Sequence, residues 1–565
     1  MIRGAWWAAV GLVATTWVAC SSAGVDPGRT TAGKGGGQAG DAGAGTAGVG
    51  SGTAGSSAPG AAGAPAAGTT GAAGGAGLAG GAGGAGGSTS RGGVGGVAVG
   101  AAGAAGSAGR TGTAGAAGAA GGLAGRGAAG AAGQPNLPGG ASALFPPPGS
   151  EGICPDPPLR IVFSGNGAPS LGTAGRIRVW NSAGTAVATV DLGASSFTTT
   201  NGGMTFNTAR PVSVDGNAVV VTLPSRPLRY GQTYYVTVES GAIRSPTGAS
   251  FTVTDSATWR FSTAAAAPND RANLAVALDG SAPFCSVQGA LDAVPANNSS
   301  PVTVTIGAGR YHDIVYFRSK NNVTLAGQDR NGTVIEGTNN DNLNPGTKAR
   351  ALVGVDASSG LVVRNLTIHN LTPQGGSQAE ALRLEDCDKC IVQDATIRSL
   401  QDTLLWSGRV YATNCLVEGN VDFVWGTGAV YFTNCEIRTV GRSGPIVQAR
   451  NPASTYGYVF VGCKLTSDPG LSGGVLARID VSVYPASHVA YIDCEMTGEI
   501  TAAGWQLTAG SNTSMLRFWE HGSVDSAGRA IDVSHRLAGS KQLSDAEAAT
   551  MRDATVVLGG WRPAP

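Results

Sequence analysis

Two aspartates, Asp402 and Asp422, lie twenty residues apart, and each comes twelve residues before an asparagine, Asn414 or Asn434. Two carboxylates held close together cannot both ionise at low cost, so one keeps a proton near neutral pH while a nearby cation favours ionisation of the other. That division of roles suits one nucleophile and one general acid. An exposed pair of aspartates at turns is the competing interpretation, and the pair alone does not decide between the two.

A repeat predicts how these aspartates are positioned. Five-residue units that end in an apolar residue recur at steps of 29, 20, 20, 28 and 31 residues, ending at Ile368, Ile397, Val417, Ile437, Leu465 and Met496. We expect an earlier copy to end at Leu325. One short β-rich unit per turn of this length predicts a right-handed parallel β-helix. The two aspartates are one short coil apart, so they should be stacked neighbours on one face.

The same repeat assigns most cysteines an inward position. One phase of it is held by Leu366, Ala395, Cys415, Cys435, Cys463 and Cys494, which should form a buried ladder with cysteine acting as a small hydrophobe. Strands in adjacent coils lie about 4.8 Å apart. A Cys415–Cys435 bridge and a reduced stack both fit that spacing. Cys387 and Cys390 form a CxxC pair, but no second pair follows at zinc-finger spacing, so we predict no metal.

The N-terminus indicates export. Residues 1–20 carry one basic residue, Arg3, and an apolar run that is short for a membrane span, as in a signal peptide. Trp17-Val18-Ala19-Cys20 resembles a bacterial lipoprotein box, which predicts lipidation of Cys20 as the only membrane attachment. Simple secretion after cleavage near Ala19 is the alternative. We expect an outer-membrane lipoprotein or a secreted, cell-surface protein.

Residues 21–150 are almost wholly Gly, Ala, Ser and Thr. Such a segment lacks the apolar side chains that offset ordering entropy, which predicts a disordered Gly/Ala-rich linker. The whole chain has a net charge of +1 and only 13% charged residues. We therefore predict no nucleic-acid partner, because no basic field is present to attract one.

Residues 155–265 alternate apolar and polar side chains in short runs such as RIRVW, NAVVVTLP and QTYYVTVES, separated by turn-forming residues. This pattern predicts a β-sandwich. The run LRYGQTYYVTVESGAIRSPTGASF with WRFST resembles bacterial Ig-like domains of surface proteins. Because no catalytic residue types cluster here, we interpret this domain as a spacer or weak binding module. The predicted fold class of the chain is all-β.

Residues 268–565 resemble the pectin methylesterase family, carbohydrate esterases that demethylate homogalacturonan. The resemblance is carried by eight motifs in the family's order: DG with VQGALDAVP, GRYHD, LAGQDRNGTVIEG, RNLTIHN, QAEAL, QDTL, VDFVWG and SKQLSDAEA. It implies a pectin-binding monomer that releases methanol without a metal or organic cofactor.

The resemblance also implies a role for each of five residues. Asp422 matches the family's nucleophile and Asp402 its general acid and base. Gln378 and Gln401 match the glutamines that hold the oxyanion, in keeping with amide donors aimed at developing charge. Arg478 matches the arginine that keeps the nucleophile ionised.

The chain departs from the family's pattern at three places, each of which loses an aromatic residue. Ile479-Asp480 stands where Pro-Trp is usual after the arginine, Leu405 where Tyr is usual, and Gly539 where Trp is frequent. These aromatics stack on sugar rings, so we expect Trp425 and Trp406 to bind substrate instead.

The altered positions leave open an esterase of the same fold with another ester substrate. A surface protein that only binds polysaccharide is the other alternative, although binding alone does not require five catalytic positions. Arg450 lies twelve residues before Gly462 and so shares the aspartates' spacing. We expect Arg450 to have a structural role.

Overall fold

The computed structural model describes residues 137–564. The predicted signal peptide with Cys20, and residues 21–136 of the predicted linker, lie outside the described residues. After a 3₁₀ turn at Pro138–Gly140, the first part of the described chain contains twelve strands: β1 (Ala141–Phe145), β2 (Leu159–Phe163), β3 (Ser170–Leu171), β4 (Arg176–Asn181), β5 (Ala186–Asp191), β6 (Phe197–Asn201), β7 (Met204–Thr208), β8 (Val212–Asp215), β9 (Ala218–Val221), β10 (Thr233–Arg244), β11 (Ser250–Val253) and β12 (Arg260–Ser262).

These strands form two antiparallel sheets and a separate hairpin. One sheet has the order β1-β2-β9-β8, and the other has the order β11-β10-β4-β5, with β3 and β12 also paired to β10. Alternation along each strand places residues such as Ile161 and Val236 in one shared core between the sheets. β6 and β7 pair only with each other.

The remainder of the chain begins with β13 (Asn273–Val276) and α1 (Val287–Asp292) and coils into two long parallel sheets. The following strands are β14 (Val302–Ile306), β15 (Gly309–His312), β16 (Val315–Arg318), β17 (Val323–Gly327), β18 (Thr333–Gly337), β19 (Val353–Asp356), β20 (Val362–Arg364), β21 (Thr367–Asn370), β22 (Leu382–Gln393), β23 (Thr396–Arg398), β24 (Leu404–Thr413), β25 (Leu416–Gly419), β26 (Val424–Gly426), β27 (Ala429–Thr433), β28 (Glu436–Thr439), β29 (Pro445–Ala449), β30 (Tyr458–Val461), β31 (Lys464–Ser467), β32 (Val475–Asp480), β33 (His488–Ile492), β34 (Glu495–Met496), β35 (Trp505–Ala509), β36 (Arg517–His521) and β37 (Lys541–Gln542). Two short helices, α2 (Asp545–Arg552) and α3 (Ala554–Val557), end the described chain.

The repeat predicted from the sequence is the register of one of these sheets. Its eight strands run in the order β15-β18-β21-β23-β25-β28-β31-β34. The pairing joins the ends of the predicted units in sequence, as Ile335, Ile368, Ile397, Val417, Ile437, Leu465 and Met496. The parallel β-helix is therefore confirmed. The earlier copy ends at Ile335, and the prediction of Leu325 was wrong because Leu325 pairs with Val304 and Val363 in the other long sheet.

The asparagines that follow the two aspartates mark turns of the coil. Asn414 and Asn434 have left-handed backbones, with φ of 54° and 52°, a conformation that Asn tolerates better than most residues. Each turn directs the next residue, Cys415 or Cys435, into the core. The whole predicted ladder is buried, and its four cysteines are unbridged. A disulfide joins Cys387 to Cys390 instead, which removes the zinc alternative.

Aromatic residues fill the core beneath the central coils. Rings of Trp406, Phe432, Phe460 and Tyr491 stack in order, with centroid separations of 5.4, 4.6 and 4.7 Å. Neighbouring rings come from different coils, so the stack ties the coils together along the axis of the β-helix. Offset aromatic pairs of this kind contribute about 0.5–1.5 kcal/mol each beyond their buried area.

The sandwich packs directly on the β-helix. A disulfide joins Cys154 to Cys285, and the buried Asp156 carboxylate accepts hydrogen bonds from the backbone N–H groups of Cys285 and Ser286 at 3.0 and 2.9 Å. Phe206 of the β6–β7 hairpin enters the core of the β-helix, 5.7 Å from the Tyr316 ring. Residues 155–265 are therefore fixed to the β-helix, and their role as a spacer or weak binding module stays a prediction.

At the other end, the last two helices cover one face of the long sheet. α2 begins with a capping box between Ser544 and Glu547, which satisfies two unpaired N–H groups at its start. Its residues Ala548 and Met551 pack against Tyr431 and Val459. Among residues 137–564, no helix is long and apolar enough to cross a membrane.

Candidate active site

The two aspartates occupy equivalent positions in adjacent coils. Leu404 of β24 pairs with Val424 of β26, and Gln401 bridges to Val421, so Asp402 and Asp422 lie side by side two residues before their strands. Both have left-handed backbones, with φ of 65° and 46°. Their exposed fractions are 7% and 6%, so the interpretation as an exposed pair at turns was wrong.

Asp422 is held by hydrogen-bond donors. Arg478 Nε lies 2.9 Å from its Oδ1 and 3.1 Å from its Oδ2, and Arg478 Nη2 also donates to Oδ2. Gln448 Nε2 donates to Oδ2 at 3.1 Å. Burial raises the pKa of Asp422 above its ordinary value, and the hydrogen bonds and charge of Arg478, together with the charge of Arg450, limit that rise. An ionised carboxylate can accept a hydrogen bond from each of these donors, so the contacts fit a charged Asp422.

Arg450 fixes the orientation of the Gln448 amide. Its Nε donates to Gln448 Oε1 at 2.8 Å, which directs Gln448 Nε2 towards Asp422. The guanidinium lies over the Trp425 ring at 4.6 Å and the Tyr484 ring at 5.5 Å. Arg450 shares the sequence spacing of the two aspartates, but it does not occupy the position next to Asp422 in the following coil. A longer coil puts Pro445 beside Asp422, where the Asp422 N–H donates to the Pro445 carbonyl at 2.7 Å.

Asp402 has a different set of neighbours, which the sequence did not reveal. Arg350 Nη2 donates to Asp402 Oδ2 at 2.9 Å and to Glu380 Oε1 at 2.7 Å, and Arg350 Nε contacts both oxygens of Glu380 at 3.0 Å. Glu380 is fully buried and Arg350 is nearly so. The one sequence signal for this cluster was a charged residue, Glu380, inside the otherwise uncharged QAEAL motif. Glutamate is almost never fully buried without a partner, so a buried Glu380 requires a cation nearby.

Burial and charge separate the two aspartates electrostatically. Burial raises the pKa of Asp402 well above its ordinary value, the negative charges of Glu380 and Asp422 raise it further, and Arg350 and Arg450 oppose this. Asp402 accepts a single arginine hydrogen bond, whereas Asp422 faces three contacts from Arg478. The geometry therefore favours a protonated Asp402 beside an ionised Asp422.

The two predicted oxyanion donors lie on the chain leading into this row of carboxylates. Gln378 comes two residues before Glu380, and Gln401 directly precedes Asp402. Both side chains are half-buried. Gln378 Oε1 accepts a hydrogen bond from Ser377 Oγ at 2.9 Å, which leaves its amide N–H groups for another acceptor. Their oxyanion role stays a prediction.

Of the two tryptophans expected to bind substrate, one faces the core. Trp406 is fully buried and stacks on Phe432, so the prediction that it contacts substrate was wrong. Alternation along the strand explains this, because Trp406 lies on the same inward face as Leu404 while Leu405 faces outward. Trp425 pairs with Leu405 across the sheet and lies on the outward face under Arg450, where 6% of its surface is exposed. Its contact with substrate stays a prediction.

A buried tyrosine supports the strands that carry the site. Tyr458 Oη lies 2.8 Å from the Trp406 carbonyl and 2.6 Å from the Trp425 carbonyl. Gly426 makes room for it, because a Cβ there would lie 2.7 Å from Tyr458 Oη and 2.3 Å from the Trp406 carbonyl. This contact joins β24 and β26 a few residues beyond the two aspartates.

The structure shows the surroundings of the three positions at which the family usually has an aromatic residue. Leu405 is buried, with 4% of its surface exposed. Asp480 lies on the same strand face as Arg478 and accepts a hydrogen bond from the Ser482 N–H at 2.9 Å. Gly539 has φ of 94°, and a Cβ there would lie 2.3 Å from Thr513 Oγ1, so no tryptophan fits at that position without rearrangement.

Comparison with known proteins identifies the family of this chain. The sequence profile of the family described as Pectinesterase matches residues 273–559. Pectinesterase 1 of Olea europaea is 32% identical over 281 residues, which is 48% of this chain and 74% of the relative. Probable pectinesterase 56 of Arabidopsis thaliana is 32% identical over 256 residues, covering 43% and 88%. Among solved structures, the pectin methylesterase from carrot is 23% identical, with a TM-score of 0.46, over 52% of this chain and 93% of that one. The chain belongs to the pectinesterase family.

Proposed function

We propose that this protein hydrolyses methyl esters of galacturonate in pectin, releasing methanol. Membership of the pectinesterase family supports a carboxylic ester hydrolase. The observation that carries the mechanism is the unequal surroundings of two adjacent buried aspartates. Asp422 is held by Arg478, and Asp402 lies next to Glu380 and shares Arg350 with it.

In the first half of the cycle, the ionised Asp422 carboxylate attacks the C6 carbonyl carbon of a methylated galacturonate. The carbonyl oxygen becomes an oxyanion, towards which Gln378 and Gln401 donate N–H groups. The bond to the methoxy oxygen then breaks, and Asp402 gives that oxygen its proton. Methanol leaves, and the galacturonyl group stays bound to Asp422 as a mixed anhydride.

In the second half, water attacks the acyl-enzyme. Asp402, now ionised, takes a proton from this water, as microscopic reversibility requires of a group that has acted as an acid. The bond between the galacturonyl carbon and the Asp422 oxygen breaks. Asp422 is regenerated as a carboxylate, and Asp402 keeps the proton that it took from water. The product leaves as galacturonic acid and gives its carboxyl proton to solvent.

We further propose that the protein works outside the cell as a monomer, exported by its N-terminal signal peptide and attached to a membrane only if Cys20 is lipidated. The sequence pattern Trp17-Val18-Ala19-Cys20 supports the lipid anchor. We also propose that residues 155–265 form an Ig-like domain of the kind found in bacterial surface proteins. The substrate is a plant cell-wall polysaccharide, so an extracellular site of action fits the chemistry.

The test is methanol release from citrus pectin by the purified protein, measured beside acetate release from an acetylated polysaccharide. We expect methanol and no acetate, and we expect Asp422→Asn to lose the activity. Acetate as the main product would show that the protein is an esterase of the same fold that acts on another ester. Polysaccharide binding without release of either product would support the non-catalytic surface protein.

A further inference from the structure

A second arginine–carboxylate pair lies beside the site and takes no part in the steps above. Arg350 and Glu380 share three hydrogen bonds of 2.7–3.0 Å. Glu380 is fully buried, and 7% of Arg350 is exposed. A glutamate in such a place is ionised only with a partner, and the arginine fork supplies one. Together the two residues carry no net charge.

Within this pair, Arg350 contacts Asp402, the proposed general acid, at one oxygen atom. Arg350 Nη2 also donates to Asp402 Oδ2 at 2.9 Å, and no other described side chain hydrogen-bonds to Asp402. Oδ2 can accept that bond as the carbonyl oxygen of a protonated carboxyl group. Oδ1 then remains free to carry the proton.

We propose that Glu380 is a positioning residue that cancels the charge of Arg350, so that Arg350 orients Asp402 without ionising it. Arg350 Nη1 also donates to Asp341 Oδ1 at 3.2 Å, but the Asp341 side chain is 35% exposed, so water screens its charge. Without Glu380, the buried Arg350 cation that contacts Asp402 would keep only this screened partner and would favour the carboxylate form of Asp402. That form has no proton to give to the departing methoxide. The proposal rests on the ester hydrolysis proposed above and adds a residue outside the reacting groups.

The charges that face Asp402 come from five positions. Glu380 lies in the preceding coil, Asp422 in the next one, and Arg350 on the chain leading into β19. Arg450 and Arg478 lie further along the β-helix. Each of these last two is already engaged, Arg450 with Gln448 and the Trp425 ring, and Arg478 with Asp422.

With two arginines balanced by Glu380 and Asp422, ionisation of Asp402 would place a third carboxylate in the same buried row. Arg450 is the remaining cation, and its hydrogen bond goes to the Gln448 carbonyl oxygen rather than to Asp402. Burial and the two neighbouring carboxylates both raise the pKa of Asp402. The local charge balance therefore keeps the proton on Asp402.

The direct test is Glu380→Gln, which keeps the shape of the side chain and removes its charge. Loss of a negative charge about one strand spacing away lowers the pKa of Asp402, so the alkaline limb of the kcat/KM profile for methanol release should move down by roughly 1–2 pH units. Glu380→Asp, which retains the charge, should restore much of the wild-type profile.

Glu520→Gln is the matched control. Glu520 is also buried, and Arg536 donates to its two oxygens at 2.8 and 2.9 Å. That pair has no contact with Asp402, so its loss should lower stability and leave the pH limb in place. A Glu380→Gln protein with reduced kcat and an unmoved alkaline limb would overturn the proposal, because it would show a merely structural role.

A second measurement does not depend on catalysis or on the folding of the Glu380 variants. Infrared difference spectra of the wild-type protein against Asp402→Asn at pH 7 should contain the C=O band of a protonated carboxyl group. Absence of that band overturns the proposal even if methanol is released. Presence of the band without methanol release would support the charge arrangement and refute the proposed function.

Discussion

Removal of the Arg478 guanidinium tests the assignment of the nucleophile. Asp422 is 6% exposed and receives three contacts from Arg478. Arg478→Ala leaves Gln448 as the one remaining side-chain donor to Asp422 among the described residues. A buried carboxylate that has lost its cation becomes harder to ionise, so its pKa rises.

The size of the effect follows from the pair's burial. Breaking a buried ion pair by removing one partner costs about 3–5 kcal/mol. The Arg478 side chain is 31% exposed, so water replaces part of the loss, and about 2–3 kcal/mol is a better estimate. At 1.36 kcal/mol per pH unit, the pKa of Asp422 should rise by about two units.

The assay is the pH dependence of kcat/KM for methanol release. Because Asp422 must be ionised to attack, its acid limb should move up by about two pH units in Arg478→Ala, a loss of about 100-fold on that limb. The loss should shrink as the pH rises. Arg438→Ala is the control, since Arg438 pairs with Asp468 at 3.0 Å on a neighbouring coil, and both side chains are more than a third exposed. Superimposable profiles for wild type and Arg478→Ala would refute the assignment.

Three further predictions concern packing and the groove. A chain beginning at Leu137 should retain activity on soluble pectin, whereas one beginning at Pro268 should be unstable, because it lacks Cys154 and Phe206; equal thermal midpoints would contradict this. Trp406→Leu should lower the free energy of unfolding by about 2–4 kcal/mol with KM unchanged, whereas Trp425→Leu should raise KM, as chemical denaturation and kinetics will show. Asp480→Asn should lower KM for low-methylated pectin more than for highly methylated pectin, because Asp480 repels free galacturonate carboxylates, and added salt should reduce the difference; a KM that is unchanged across the methylation series would contradict this repulsion.

The sequence was most informative where structure depends on periodicity. The steps between apolar units gave the strand register from Ile368 to Met496, because every coil must present the same inward position to its neighbour. The same logic placed Asp402 beside Asp422. It failed at Arg450, because the coil that follows Asp422 is longer and spacing no longer reports the register.

Periodicity in the sequence could not predict contacts between distant segments. Arg350 meets Glu380 and Asp402 across thirty and fifty-two residues of sequence, and no repeat unit contains it. The Cys154–Cys285 disulfide and the insertion of Phe206 were missed for the same reason. Trp406 was misassigned although alternation along the strand contained the answer, since Leu404 and Trp406 share one face.

The central claim is that Asp422 forms the acyl-enzyme while Asp402 transfers protons, and an aryl galacturonate ester separates these roles. Its phenolate leaving group needs little protonation, so Asp402→Asn should still acylate but deacylate slowly. We predict a rapid burst of about one equivalent of phenol per enzyme molecule from Asp402→Asn and no burst from Asp422→Asn. A burst from Asp422→Asn would contradict the account.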